Sequence, residues 1–447
     1  IDGRLDVSSD KWQLRAGYQR RYNAETGAGV ASALDPVGTN FGERINADLT
    51  YRDDNFAQDV DVTAQFSYLH LVEKSDLTLL PPGSSVTYPA PINTVVYPNG
   101  LIGNPYKWER HFRFNFSVAY SGVNDHKLRF GAGNQMDDMY RIRDSNNFAT
   151  PAAVIDVTDI APFMTPHNRR VSFAYAQDEW NFTQDWYLTA GVRQDRYSDF
   201  GQTTNPRAAL VWDTAYNLTS KLLYGKAFRP PSFAELYNIN NPVATGNPDL
   251  KPETNETVEL AFDWQATKDV HANLSLFRYQ MKDILRFAPL AGTTALVAQN
   301  TGRQHGNGGE VELVWDAGAN VRLSGNYAYQ RSIDEASNQD AGNAPRHHAY
   351  ARADWHFLQD WNLNTQFNYI AGRKREPGDP RTTNIADYHT VDVTLRNQSH
   401  VSNVSYAFSV RNLFDADARE PSPAPGLIPG DLPLAPREWR VELNYKL

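Results

Sequence analysis

The sequence predicts an all-β protein, a transmembrane antiparallel up-and-down β-barrel with roughly 18 strands in this chain. The first observation is alternation: residues 112–120 and 439–447 place an apolar side chain at every second position, the period of a two-faced strand. The second is that short turns alternate with long loops, which is typical of membrane barrels. The third is a charged polar face, which a packed interior could bury only at a cost of several kcal/mol per charge. These charges are Arg113, Arg322, Asp392, Arg396, Arg411 and Glu442.

Composition narrows the classes of protein. The chain has 447 residues, no Cys and 12% aromatic residues, including 23 Tyr and 10 Trp, which favour membrane–water interfaces. It contains no run of about 18 apolar residues, which argues against a transmembrane helix. Strands escape this test because they bury only every second side chain. The net charge of −9 argues against a nucleic-acid partner.

Taken in order, the chain divides into alternating segments separated by turn residues. Long loops are predicted at residues 23–40, which are rich in Gly and Ala, and at 75–106, which contain two Pro/Gly turns. Short turns are predicted at 53–55 and 124–125. The predicted strands are a partial one at 2–7, then 12–22, 45–51, 60–68, 112–120, 128–140, 171–175, 186–197, 207–214, 221–229, 258–264, 271–287, 311–315, 321–329, 346–357, 363–369, 391–395, 404–410 and 439–447.

The stretch 221–263 is a strand, a long loop and a second strand. Pro230 and Pro231 end the first strand, because proline has no amide hydrogen to give to the ladder. Pro248 and Pro252 fix two turns in the loop by locking φ. The second strand begins near Val258, with an apolar residue at every second position up to residue 264.

This stretch resembles the mid-barrel signature of TonB-dependent outer-membrane receptors, which are plugged β-barrels. The resemblance rests on residues 224–236, YGKAFRPPSFAEL, and on residues 246–254, GNPDLKPET, in the same order and spacing. The closing segment 439–445 resembles the last strand of the family, although Leu447 stands where Phe is usual. Four further residues resemble a glycine-containing strand pair of the family, and a structural role is expected for its glycines: Asn300, Gly302, Gly308 and Glu310.

The resemblance implies that residues 1–447 are one domain, the barrel of such a receptor. About 22 strands are expected in the complete barrel, so the N-terminal plug and the first strands are expected to be missing from this chain. The resemblance further implies a Gram-negative outer membrane and import of a scarce ligand, a ferric siderophore first, with haem, cobalamin and glycans open. Import would be driven by the TonB–ExbB–ExbD complex acting on the plug, with no cofactor. Outer-membrane lipid and lipopolysaccharide are the other expected partners.

Two groups of residues are candidate ligand contacts. The aromatic residues Tyr97, Tyr106 and Trp108 could stack on a ligand, with a place in the interfacial aromatic belt as the alternative. The basic run Arg373, Lys374 and Arg375 could meet an anionic ferric complex or lipopolysaccharide phosphates, with a solvated rim as the alternative.

No catalytic or metal-binding constellation emerges from the spacing of residues. His347 and His348 are neighbours in a predicted strand, so their imidazoles should point to opposite faces. Two other classes stay open. A passive outer-membrane porin has a similar number of strands. A soluble all-β protein is opposed by the outward-facing apolar rows, which would make it insoluble. The sequence therefore predicts a transport receptor and not an enzyme.

Overall fold

The computed structural model describes residues 1–28, 33–88, 94–289, 296–398, 403–423, 428 and 430–446. In this part of the chain the structure is β-strand except for one five-residue helix and the connections. Among the same residues, no helix is long and apolar enough to cross a membrane. Two compact units are described separately below. Unit 1 contains Ile1–Ala208, Gly225–Asn255 and Met281–Gly302, and unit 2 contains Ala209–Tyr224, Glu256–Gln280 and Arg303–Leu447.

The first eleven strands belong to unit 1. They are β1 Asp2–Ser8, β2 Trp12–Ala28, β3 Leu34–Ala57, β4 Val60–Leu80, β5 Ser84–Thr87, β6 Thr94–Tyr97, β7 Leu101–Tyr120, β8 His126–Asn146, β9 Ile155–Asp156, β10 His167–Thr183 and β11 Trp186–Tyr197. An antiparallel ladder runs through β1, β2, β3, β4, β7, β8, β10 and β11, each paired with the next. β5 and β6 form a separate hairpin within the connection between β4 and β7.

The middle elements are divided between the two units. They are β12 Gly201–Ala215, β13 Leu218–Arg229, helix α1 Phe233–Tyr237, β14 Ala244–Thr245, β15 Glu253–Thr267, β16 Val270–Pro289 and β17 Leu296–Asp316. Within unit 1, β14 pairs in parallel with the start of β17.

The last nine strands belong to unit 2. They are β18 Val321–Asp334, β19 Gln339–Asp340, β20 His347–Leu358, β21 Trp361–Ala371, β22 Tyr388–Gln398, β23 Val404–Arg411, β24 Arg419–Glu420, β25 Leu432–Pro433 and β26 Glu438–Tyr445. The antiparallel ladder of this unit runs through β17, β18, β20, β21, β22, β23 and β26.

The structure confirms the predicted fold class and strand number. Nineteen strands of seven or more residues lie in the described part of the chain, including β1 where a partial strand was predicted. Short turns and long connections are both present, as predicted, but they do not alternate strictly, because the connection between β11 and β12 is only residues 198–200. Left-handed backbone conformations at Asp59 and Asp125, with φ of 58° and 64°, tighten two of the short turns. Aspartate tolerates this conformation because its side chain can hydrogen-bond locally.

The two faces of each unit have the predicted chemistry. In unit 1, Phe66 lies opposite Phe114 on a face where both side chains are about half exposed, which is the face we call apolar. Arg113 lies between the apolar positions of β7, on the polar face opposite Ser67. In unit 2, Arg322 and Asp354 are cross-strand partners on the polar face, whereas Trp355 points to the apolar one. The alternation of apolar and charged residues therefore separates the two faces in both units.

The long loops are shorter than predicted. β2 continues to Ala28 and β3 begins at Leu34, within the predicted loop 23–40. β4 continues to Leu80 and β7 begins at Leu101, within the predicted loop 75–106. The predicted turn 53–55 is also wrong, since β3 runs on to Ala57. Beyond the apolar stretch neither face of a strand needs to be apolar, so pairing continues there without alternation to reveal it.

One strand carries aromatic residues on its polar face. Phe173 and Tyr175 of β10 lie opposite Gly133 and Gly131 of β8, and Tyr175 also lies opposite Arg193 of β11. A Cβ atom added at Gly133 would come within 2.5 Å of the Phe173 ring, and one at Gly131 within 2.3 Å of the Tyr175 ring. The rings therefore cover glycines, which leave room for them. Unit 2 repeats the arrangement, with Phe277 and Tyr279 over Gly308 and Gly306.

Candidate functional site

The arginine of the signature stretch holds its loop together. Arg229 closes the end of β13, and its guanidinium donates to Glu253 at 2.8 Å and to both carboxylate oxygens of Glu235 at 3.0 and 3.1 Å. Burial opposes ionisation of Glu235, but hydrogen bonds from Arg229 and Ser232 outweigh it and lower the pKa of this carboxyl. The strand end, the helix and the start of β15 are thus joined through one side chain.

Helix α1 was not predicted, although its signal stands in the sequence. Ser232 is the N-cap residue: its hydroxyl accepts from the Glu235 amide at 3.2 Å, and the Glu235 carboxylate accepts from the Ser232 amide at 2.7 Å. This is a capping box, whose pattern is Ser or Thr followed three residues later by Glu. The helix is not evident from the sequence because Pro230 and Pro231 directly precede the cap, and two prolines also mark the end of a strand.

The loop is also anchored by a buried arginine of β10. Arg169 and Asp199 are 8% and 7% exposed and lie 2.6 Å apart, and Arg169 also donates to the Pro231 carbonyl oxygen at 2.7 Å. The Arg169 guanidinium lies 5.1 Å from the centre of the Phe233 ring. Sequence reasoning missed Arg169, because its partners come from distant segments. The Arg-Pro-Pro-Ser segment of the family signature is therefore held in one position by Arg169 of β10.

Asn300 pins the second half of the signature. Its side-chain oxygen accepts from the Lys251 amide at 2.8 Å, and its nitrogen donates to the carbonyl oxygens of Lys251 and Asp283 at 2.9 and 2.8 Å. The Lys-Pro turn of the signature thereby acquires a fixed place beside β16 and β17. Together with Gly308 under the Phe277 ring, this assigns structural roles to residues that the sequence had singled out by resemblance.

A pocket of about 500 Å³ opens on the polar face of unit 1, towards the long loops. Apolar side chains of β8, of the loop before β10 and of α1 form one side, namely Met139, Phe163, Met164 and Phe233. The other side is a chain of charged groups. Lys107 lies 2.8 Å from Glu73 and 2.9 Å from Glu109, and His111 lies 2.7 Å from Asp137. We call this concavity the loop-end pocket; its size and its mixed lining are those of a small-molecule site.

The three predicted aromatic ligand contacts occupy different environments. Tyr97 is fully buried, donates to the Phe148 carbonyl oxygen at 2.6 Å and lies 2.6 Å from the Tyr88 hydroxyl. Burial raises the pKa of Tyr97. Tyr106 and Trp108 have ring centres 3.8 Å apart and lie on the apolar face, in register with Phe112. None of the three lines the loop-end pocket, so any contact with a ligand stays a prediction.

The three residues of the predicted basic run also lie in different environments. The Arg373 side chain is 0% exposed, lies 3.1 Å from Glu420 and donates to the Ala386 carbonyl oxygen. Two guanidinium nitrogens of Arg375 donate to the two carboxylate oxygens of Asp431, at 2.9 and 2.8 Å. The ion pair with Arg375 outweighs burial and holds the pKa of Asp431 well below its usual value. Only Lys374 is exposed, and its ligand role stays a prediction.

The histidines do not assemble a metal site. Among the described residues, no group of three or more His, Cys, Asp or Glu side chains is placed to hold a metal ion. His347 Nδ1 lies 2.7 Å from the Tyr327 hydroxyl, and His348 Nε2 lies 2.9 Å from Asn368. Because Tyr327 and Asn368 belong to different faces of unit 2, the two imidazoles diverge, as predicted.

Comparison with known proteins bears directly on the family. The sequence profile of the family described as "TonB dependent receptor-like, beta-barrel" matches residues 2–413. The iron-regulated outer membrane virulence protein of Vibrio cholerae is 28% identical over 323 residues, which are 67% of this chain and 47% of that protein. A vitamin B12 transporter of the same species is 32% identical over 91 residues, 20% of this chain and 14% of that protein. The chain spans about half the length of the first of these relatives.

Solved structures share the fold at low sequence identity. The siderophore receptor PirA from Acinetobacter baumannii has a TM-score of 0.74 at 18% identity, over 99% of this chain and 70% of that one. The copper transporter OprC has a TM-score of 0.77 at 16% identity, over 99% and 71% of the two chains. A ferric enterobactin receptor of Pseudomonas aeruginosa, solved with enterobactin, has a TM-score of 0.74 at 17% identity, over 99% and 69% of the two chains.

Proposed function

Because this chain belongs to the TonB-dependent receptor-like β-barrel family, we propose that it takes part in energy-coupled import of a ferric siderophore. The family consists of transport receptors rather than enzymes, and the protein resides in the outer membrane of a Gram-negative bacterium. The observation that carries the proposal is the family match across residues 2–413. The iron-regulated relative favours iron over other cargo.

In this proposal residues 1–447 form one barrel domain. The ligand binds from outside at the long loops, and the TonB–ExbB–ExbD complex pulls on the plug of the complete receptor, so that the ligand passes to the periplasm. The barrel makes and breaks no covalent bond, and its polar face lines the path. The charged residues of this face remain wet or paired, which is why they are tolerated there.

The loop-end pocket is the proposed ligand contact. Its volume of about 500 Å³ suits a small molecule, and Lys107 and His111 provide hydrogen-bond donors beside the apolar wall. Lys107 is one-third exposed although it touches two carboxylates, so its ammonium can face a ligand. Removing it would also leave Glu73 without the ammonium group 2.8 Å away and Glu109 with only His111, at 3.4 Å, as a basic partner, and the uncompensated carboxylate would repel an anionic complex.

The test is uptake of radioactive iron by cells that express the protein as their only receptor for the supplied siderophore. We expect uptake of at least one ferric siderophore, and we expect it to stop when TonB is deleted or the proton gradient is collapsed. Lys107→Gln should raise the half-saturating concentration about tenfold, the effect of one lost charge-assisted contact. Lys127→Gln is the matched control, because Lys127 is an exposed lysine on the same face near a short turn.

Two results would redirect the proposal. Uptake that is insensitive to TonB, together with a steady conductance in planar bilayers, would assign the protein to the passive porins instead. Cobalamin is the second candidate cargo, favoured by the match to a vitamin B12 transporter. Transport of cobalamin but of no ferric siderophore in the same cells would replace the iron complex while keeping the energy-coupled mechanism.

A further inference from the structure

Two arginines on the apolar face of unit 1 stand beside an aromatic pair. Arg141 lies opposite Trp108, and Arg143 lies opposite Tyr106, in the ladder between β7 and β8. The Arg141 guanidinium carbon is 4.5 Å from the centre of the Trp108 ring, and the Trp108 and Tyr106 ring centres are 3.8 Å apart. We call these four residues the arginine–aromatic platform. From this platform we propose a binding site for the phosphorylated headgroup of a glycolipid in the outer leaflet of the membrane.

The register places the platform on the surface that meets lipid. β4 and β7 pair without a shift from Tyr68–Phe112 to Lys74–Tyr106, so Tyr106 and Trp108 share a face with Phe112. That face carries the exposed phenyl rings of Phe114 and Phe116 further along β7. In a membrane barrel, a continuous apolar face of this kind is covered by lipid and not by water.

The distance along β7 places the platform at the level of lipid headgroups. Trp108 lies 12 residues before Tyr120, which ends the strand at a short turn. At about 3.3 Å per residue and a strand tilt of about 40°, this separation is about 30 Å along the membrane normal. The apolar band of such barrels is about 25 Å tall. The platform therefore lies just beyond the band at the long-loop end, where indole and phenol rings are favoured.

The guanidinium groups are available to an anion. Both arginines are exposed, and among the described residues no carboxylate lies within ion-pair distance, 4.0 Å, of either side chain. Asp156 interacts with Arg143 only at longer range. Arg110, nearby on the same face, differs: its guanidinium is 2.7 Å from Asp138.

Position and charge together point to phosphate. Arg141 and Arg143 are two residues apart on one strand, so their Cα atoms lie about 7 Å apart and their side chains share a face, and among the described residues no acid bridges them. Guanidinium binds phosphate oxygens in a bidentate fork, and clusters of basic residues at a membrane surface attract anionic headgroups. The rings of Trp108 and Tyr106 would pack against the glycolipid where its acyl chains meet its sugars, because aromatic side chains with a polar tip favour such a boundary.

Titration with lipid A tests the proposal. The purified protein in nanodiscs of zwitterionic phospholipid is titrated with bisphosphorylated lipid A, and bound lipid is counted by native mass spectrometry. We expect the double variant Arg141→Gln, Arg143→Gln to bind at least tenfold more weakly, since each charge-assisted contact contributes about a factor of ten. Arg129→Gln should bind like the wild type; Arg129 is an exposed arginine of the same strand on the opposite face.

Two further measurements distinguish lipid phosphate from free phosphate, and a second variant controls for misfolding of the double variant. Dephosphorylated lipid A should bind the wild type as weakly as lipid A binds the double variant, and inorganic phosphate at the same concentration should displace no lipid. Equal binding by the double variant, equal binding of dephosphorylated lipid, or displacement by inorganic phosphate would overturn the proposal. If the double variant does not fold, Arg141→Lys takes its place: it keeps the charge but loses the bidentate fork, so it should bind lipid A more weakly than the wild type, and equal binding would overturn the proposal.

Discussion

Replacing Arg169 by Gln should release the signature loop without unfolding the sheet. The Arg169–Asp199 pair is more than nine-tenths buried, and the same guanidinium donates to the Pro231 carbonyl oxygen at 2.7 Å. Breaking a buried ion pair from one side costs about 3–5 kcal/mol, because the remaining charge is left uncompensated. A glutamine amide can recover one neutral hydrogen bond of about 1 kcal/mol. The expected net loss is therefore about 3 kcal/mol, or roughly a hundredfold in the opening equilibrium.

Hydrogen exchange measured by mass spectrometry follows this opening directly. The reporters are loop amides that donate to backbone oxygens, such as Ile239 to Phe163 at 2.7 Å and Gly246 to Asn238 at 2.6 Å. Their exchange should accelerate about a hundredfold in Arg169→Gln, while exchange in β2 and β3 stays unchanged.

The neighbouring residue provides the control for this experiment. Arg170 is exposed and points to the opposite face, so Arg170→Gln should exchange like the wild type. In the double variant Arg169→Gln, Asp199→Asn, the buried charge disappears together with its partner, and the loss should be smaller than for Arg169→Gln alone. Wild-type exchange rates in Arg169→Gln, or equal acceleration in Arg170→Gln, would refute the assignment of Arg169 as the anchor of the loop.

Two further predictions concern a glycine and a loop carboxylate. Gly133→Ala should lower the free energy of unfolding, measured in guanidinium chloride, by about 1–3 kcal/mol, because the new methyl group would lie 2.4 Å from a backbone oxygen and 2.5 Å from the Phe173 ring. Gly225→Ala is the control and should change this free energy little, because the space around its Cβ is open. Equal effects of the two substitutions would contradict the reasoning. The Arg375–Asp431 pair should hold its loops at neutral pH and release them only in strongly acid solution. The folded-state pKa of Asp431 is lowered, so its contribution is present above the ordinary value of 3.8 and is lost as pH falls through the lower folded value. Exchange in residues 376–386 should thus be faster in Asp431→Asn than in the wild type at neutral pH, and the difference should disappear in strongly acid solution, where the wild-type carboxyl is also neutral. Loosening of the wild type already near pH 6 would contradict this reasoning.

The sheet could be predicted because its periodicity is written into each strand. Residues 112–120 need no partner to show which side chains share a face, and the structure places Phe114 and Arg113 on opposite faces as predicted. The polar-face aromatics of β10 could not be found in this way. Phe173 is placed by Gly133 on the neighbouring strand, and a single strand's pattern contains no information about the residue beside it.

The candidate site was less predictable because its contacts join distant segments. Trp108 and Arg373 were singled out as an aromatic and a cation near loops. The structure places the Trp108 ring against Arg141 on the apolar face and the Arg373 side chain against Glu420 in a buried cluster. The lining of the loop-end pocket comes from β4, β7, β8, β10 and the signature loop, and only the register of those strands brings it together.

Strand periodicity also explains how several charges of this protein are neutralised within a single strand. Residues i and i+2 of a strand share a face about 7 Å apart, so a basic and an acidic residue at that spacing form an ion pair without help from another strand. Within the strands of the described part of the chain, six Lys or Arg side chains form such pairs: Asp2–Arg4, Arg52–Asp54, Lys74–Asp76, Lys107–Glu109, Arg193–Asp195 and Arg352–Asp354.

Arg141 and Arg143 have the same spacing but the same sign, and the ladder places them at the headgroup level of the apolar face. Exposed like charges on neighbouring positions of one face destabilise a strand by about 0.2–1 kcal/mol. An exposed pair of opposite charges stabilises it by about the same amount. An acidic residue at either position would remove that cost, as it does at the six other sites. The missing negative charge is therefore best supplied from outside the protein, and the anion that a membrane offers at this depth is a lipid phosphate.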